Sequence, residues 1–103
     1  MPMKEVVAER ELVGETSAGG RFPIRIRIGK PYPASDIDWA CPVTVEGMEW
    51  PFPDMHGVDS LQALTLALNF ARHSLEDFLK KGGALFWPEG EPATLESIFG
   101  KGI

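Results

Sequence analysis

The chain reads as one α+β domain spanning residues 1–103: an antiparallel sheet of three to four strands in the order β-β-β-α-β, with one long helix packed on one face. Three observations predict it. Residues 22–28 alternate strictly, with Phe22, Ile24, Ile26 and Ile28 on one parity and Pro23, Arg25 and Arg27 on the other, the period of a half-buried strand. Residues 60–81 carry Leu61, Leu64, Leu68, Ala71, Leu75, Phe78 and Leu79 at helical spacing. The 44% hydrophobic and 24% charged fractions in 103 residues are those of a globular chain with room for one core.

The first strand is expected over residues 6–13, where Val6, Ala8 and Leu12 share a parity. The turn-rich stretch 14–20 then joins it to the strand at 22–28 as a hairpin. Matching parities put both apolar sets on one face, and a slip of one residue would turn a strand over. Glu9 and Glu11 then share the outer face with Arg25 and Arg27, while Arg10 falls on the inner parity, a misfit suited to a bulge or a sheet edge. A loop at 29–38 precedes a third strand, in which Trp39, Cys41, Val43 and Val45 alternate with Ala40, Pro42 and Thr44. Pro42 cannot donate to a ladder, so this strand has a free edge or a local break there. A second loop, 47–58, holds Trp50-Pro51-Phe52-Pro53.

Asp59, with Gln62 three residues on, has the capping-box pattern that starts a helix. Gly82 and Gly83 supply the stop, with Lys80 and Lys81 placed to offset the helix dipole. Arg72 and Glu76, His73 and Asp77, and Glu76 and Lys80 are spaced for ion pairs on the exposed side. Leu66 and Phe70 project beyond the main apolar stripe, so one sheet face does not cover them. Their cover is either the C-terminal segment, with Leu95, Ile98 and Phe99, or a second subunit. Residues 84–88 suit a short strand and residues 94–99 a last helical turn.

The formal net charge of −5 works against unspecific attraction to nucleic acid or anionic lipid and suits a basic protein partner. With Cys41 the only cysteine, no internal disulfide is available. Residues 1–10 lack the apolar run of a secretion signal, and no stretch of about eighteen apolar residues occurs. A cytoplasmic protein bound to neither membrane nor nucleic acid is expected.

Candidate sites each have a bland competitor. Cys41 with His56 or His73 would be a thiolate–imidazole pair, but a lone cysteine on an inner strand face is more simply a buried structural thiol. Asp36, Asp38, Asp54, His56 and Asp59 match no metal motif, and Asp59 is accounted for as a cap and Asp36 and Asp38 as turn formers. Arg21, Arg25, Arg27 and Lys30 form a basic stripe, yet Glu9, Glu11, Thr44 and Glu46 stand beside it where a single-strand binder would place aromatics. No catalytic residue, metal ligand or cofactor is assigned. The expected contact surface is Trp50, Phe52, Leu66 and Phe70, because stiff aromatic loops and uncovered helix flanks are where partners dock. A lid over the core is the alternative for the two loop aromatics.

The run Trp39-Ala40-Cys41-Pro42-Val43, followed by Gly57-Val58-Asp59-Ser60-Leu61-Gln62-Ala63-Leu64, resembles a family of small bacterial proteins of unknown function. These have a Trp-x-Cys-Pro strand ahead of a Gly-x-Asp-Ser-x-Gln-Ala-Leu helix start. The resemblance covers about the middle third of the chain; it implies a bacterial source and carries over no catalytic residue.

The expectation is a non-enzymatic interaction module of the bacterial cytoplasm that self-associates as a homodimer. An immunity- or antitoxin-like role, in which an acidic domain blocks a basic partner, is one form of it. The competing expectation is a small enzyme or ligand-binding protein with its site between the 29–38 and 50–59 loops. A pocket of convergent polar groups would favour the second, a flat apolar patch the first.

Overall fold

A computed structural model describes residues 5–48 and 53–101. In chain order its elements are β1 (Val6–Glu15), β2 (Arg21–Gly29), β3 (Tyr32–Ser35), β4 (Asp38–Cys41), β5 (Val43–Glu46), β6 (Met55–Gly57), α1 (Ser60–Lys80), β7 (Ala84–Phe86) and α2 (Leu95–Phe99). The strands form a four-stranded main sheet, β5-β2-β1-β7, and a three-stranded small sheet, β3-β4-β6, all antiparallel. The α+β class, the antiparallel sheet and the long helix are as the sequence predicts.

The hairpin register is the same-parity one. Glu9 lies opposite Arg27, Glu11 opposite Arg25 and Leu12 opposite Ile24. Ile24, Ile26 and Ile28 are therefore buried, and on the outer face Arg25 Nη2 donates to Glu11 at 2.8 Å and Arg27 Nε to Glu9 at 3.3 Å. Arg10 sits in a regular pair with Ile26, and the bulge falls upstream, between Val6 and Ala8. Its misfit is resolved by the edge: β7 pairs β1 only at Val13, Gly14 and Glu15. Beside that short strand the Arg10 guanidinium lies 4.9 Å over the Trp87 ring.

The third alternating run is two strands, broken at Pro42. β4 belongs to the small sheet and β5 to the main one. The proline's missing N–H ends one ladder, its carbonyl accepts from Gly29 N at 2.9 Å, and the chain crosses from sheet to sheet with Cys41 and Val43 both buried. The two expected loops also contribute strands, β3 from the first and β6 from the second.

Helix α1 spans both sheets and starts where expected. Asp59 Oδ1 accepts from Gln62 N at 2.8 Å, while the Gln62 side chain reaches past the cap to accept from Val58 N at 2.7 Å. It ends in a Schellman arrangement, with Gly83 N donating to Phe78 O, Gly82 N to Leu79 O, and Gly82 at φ +93°. The buried residues are Ala63, Ala67, Ala71 and Leu75. Three alanines at four-residue spacing let the helix backbone approach the strands closely. The buried stripe is thereby turned toward the Phe70 side of the expected one, and Leu61 is left 70% exposed. On the outer side Glu76 pairs with Lys80 as expected; among the described residues His73–Glu76 and Lys81–Asp77 stand in place of the expected Arg72–Glu76 and His73–Asp77 pairs. Helix α2, capped by Thr94 in a reciprocal box with Ser97, contacts α1.

Candidate functional site

The small sheet presents two faces of different chemistry. Opposed residues of an antiparallel pair share a face, and alternate residues along a strand do not. Trp39, Cys41, Met55 and Gly57 therefore point toward α1. At Gly57 the Ala63 backbone nitrogen comes to 2.7 Å of where a Cβ would stand. Tyr32, Asp38, Ala40 and His56 share the opposite face.

On that face two polar contacts join the 29–38 and 50–59 regions. The Tyr32 hydroxyl donates to Asp54 Oδ2 at 2.5 Å, and His56 Nδ1 meets Asp38 Oδ2 at 2.5 Å. Tyr32 and Asp54 come from opposite sides of β4, so their hydrogen bond crosses it and the phenol shelters Ala40, which is 0% exposed. The contact fixes the orientation of the His56 ring, with Nδ1 toward Asp38. The bond to Asp54 holds the Tyr32 phenol above its ordinary value, since ionising it would cost the bond and face the carboxylate. The arrangement is a pair of straps across a small sheet, with a carboxylate-oriented imidazole at its surface.

Cys41 lies on the other face from His56, so β4 separates thiol from imidazole. The thiol is fully buried, its Sγ donates to Gly29 O at 3.3 Å, and burial, then the charge of Asp54, push its pKa up. That is the opposite of what an activated nucleophile requires. His73 stands on the exposed side of α1 beside Glu76. Among the described residues no three His, Cys, Asp or Glu side chains are grouped to hold a metal ion. The arginine stripe is committed to carboxylates: Arg21 to Glu15, Arg25 to Glu11, and Arg27 to Glu9 and Glu46.

Of the expected contact surface, Trp50 and Phe52 lie outside the described residues. Leu66 is 40% exposed, whereas Phe70 is half-buried and packs against the core, as do Leu95, Ile98 and Phe99 of α2. The spacing rule missed a different group. Ile37, Val58 and Leu61 are 86%, 72% and 70% exposed. Trp39 pairs with Gly57, so Ile37 and Val58 stand at the same end of the small sheet, with Leu61 one helical turn beyond Val58. Leu61 falls outside the core because the alanines face the sheet, whereas periodicity centres the apolar stripe on the leucines.

On the outer face of the main sheet an open hollow of about 560 Å³ is lined by Glu11, Val13, Pro23, Arg25, Glu46 and Pro88, among others. It is on a different sheet from the Tyr32–Asp54 and His56–Asp38 contacts. No helix among the described residues is long and apolar enough to cross a membrane. No curated protein and no solved structure matches the chain. A family model matches residues 8–96, nearly the whole of both sheets and α1, and the chain thus belongs to the family described as a domain of unknown function, DUF6968.

Proposed function

We propose that the domain is a non-enzymatic protein-interaction module of the bacterial cytoplasm, and that it self-associates. The observation that carries this reading is the gathering of Ile37, Val58 and Leu61 at one end of the small sheet with most of their surface in solvent. Large apolar side chains exposed together mark contact surfaces more often than isolated ones do. Leu66 adds a second apolar point on the other flank of α1, about 140° round the helix from Leu61. Closed two-fold dimers are the commonest way for such patches to be buried. The resemblance of residues 39–43 and 57–64 to small bacterial proteins supports the source, and the net charge of −5 suits a basic partner. Light scattering at low micromolar concentration tests self-association. A dimeric mass that becomes monomeric on Leu61→Glu assigns the contact to the small-sheet end, and one that responds to Leu66→Glu assigns it to the other flank. A monomeric wild type refutes self-association.

A second reading is favoured by the contacts that draw the 29–38 and 50–59 regions together. A small ligand bound on this face would meet the His56 imidazole, oriented by Asp38, and the Tyr32 phenol. Binding by a fragment library that disappears in His56→Ala and Tyr32→Phe would support this reading over the first.

A further inference from the structure

We propose that the open edge of β1, from Val6 to Leu12, is a strand-addition site for an extended, basic segment of another protein. β1 has ten residues and pairs with β2 along its length, but its second edge meets β7 only from Val13 to Glu15. The chain leaving β7 cannot continue the ladder. Trp87 N–H is taken by Glu91 O at 2.8 Å, Pro88 has no N–H, and Gly90 at φ +107° turns the chain away. Among the described residues, no strand pairs with β1 on this side between Val6 and Leu12. Seven residues, roughly 23 Å of strand, thus present every second N–H and C=O to solvent, the chemistry that recruits an added strand.

The side chains specify the occupant. On the outer face this edge carries Glu9 and Glu11, 49% and 57% exposed even with their arginine partners. Arg10 marks the inner face. A second copy of β1 laid antiparallel across a two-fold axis would match faces only in registers that set glutamates against glutamates, which like-charge repulsion opposes. A strand with Lys or Arg at alternate positions meets Glu9 and Glu11 instead. The hollow bounded by Glu11, Val13, Pro88 and Glu46, and also by Arg25, which holds Glu11, lies beside the end of this edge, where a long side chain would find apolar walls for its stem. Val6 and Val7, 40% and 51% exposed, supply apolar contact at the other end. This surface is separate from the Ile37, Val58 and Leu61 group, so it stands or falls independently of self-association.

The test uses three fluorescently labelled octapeptides: alternating Lys and Val, alternating Glu and Val, and the Lys/Val peptide with every backbone nitrogen methylated. Anisotropy should show the Lys/Val peptide binding the wild-type protein at least about tenfold more tightly than the other two. Amide hydrogen exchange should show new protection confined to residues 6–12. The variant Glu9→Lys/Glu11→Lys should reverse the preference; if it does not fold, the exchange pattern on wild type decides alone. Equal binding of the methylated peptide would reduce the effect to diffuse charge attraction and overturn the proposal. Protection absent from β1, or no binding of any peptide, would overturn it as well.

Discussion

Gly57→Ala tests the close approach of α1 to the small sheet. Gly57 is buried in β6, and a methyl group there would stand 2.7 Å from Ala63 N and 3.0 Å from the Gln62 carbonyl carbon and Cβ. Two of the three neighbours are helix backbone, so no side-chain rotation relieves the overlap. The first turn of α1 would have to lift from the sheet. Lifting it disturbs Ala63, which is 0% exposed, and pulls on the paired cap formed by Asp59, Gln62 and Val58. Overpacking of this kind costs about 1–3 kcal/mol. Loss of unfolded-state freedom on Gly→Ala returns about 0.4–1 kcal/mol, leaving a net destabilisation centred on about 1 kcal/mol and no more than about 2.6 kcal/mol. Gly20→Ala is the internal control: its nearest neighbour would be Thr16 Oγ1 at 3.4 Å, an ordinary contact, and its backbone is not left-handed, so the entropic gain should stand alone. Urea denaturation followed by circular dichroism measures both. Equal midpoints for the two variants would refute the claim that helix and β6 are packed backbone to backbone.

Asp59→Ala should cost about 1 kcal/mol through loss of the cap, and a denaturation midpoint equal to wild type would show that the Gln62–Val58 bond holds the helix start unaided. Cys41→Ser should lower stability by about 1 kcal/mol, because a hydroxyl enters an apolar site but keeps Gly29 O as its acceptor. A thiol reagent should label folded wild type only slowly, and rapid stoichiometric labelling would contradict the burial. Because burial raises the folded thiol's pKa, its contribution is complete below the ordinary thiol range and is lost as pH rises above about 8.5; Cys41→Ala should flatten that decline, measured as melting temperature against pH. Tyr32, also raised, acts in the same direction at higher pH, and Tyr32→Phe separates the two. Arg10→Val should make scattering rise with concentration, because it removes the inward-facing charge that, with Glu9 and Glu11 on the outer face, guards the β1 edge against its own kind; unchanged scattering would assign Arg10 a purely local role on Trp87.

Elements whose signals are local could be read from the chain alone. The β2 alternation, the turn-rich hairpin connection, the Asp59 cap and the Gly82-Gly83 stop each act within a few residues, and each stands where the pattern puts it. The facing of Glu9 and Glu11 to Arg27 and Arg25 was also legible, because parity leaves few registers that keep one face apolar. Tertiary structure alone decided the rest. β3 is exposed throughout and contains Pro33, and β6 is three residues long, so neither shows the alternation that burial imposes; they are strands only because β4 lies between them. Pro42 announced a break, but that the two halves join different sheets depends on where α1 lies. The helix stripe is centred on Ala63, Ala67 and Ala71 because close packing favours small residues where two backbones meet, whereas hydrophobicity ranks the leucines first. The Tyr32–Asp54 and His56–Asp38 contacts join residues 22 and 18 positions apart. No local pattern records such partners, since only the pairing of β3, β4 and β6 brings them onto one face.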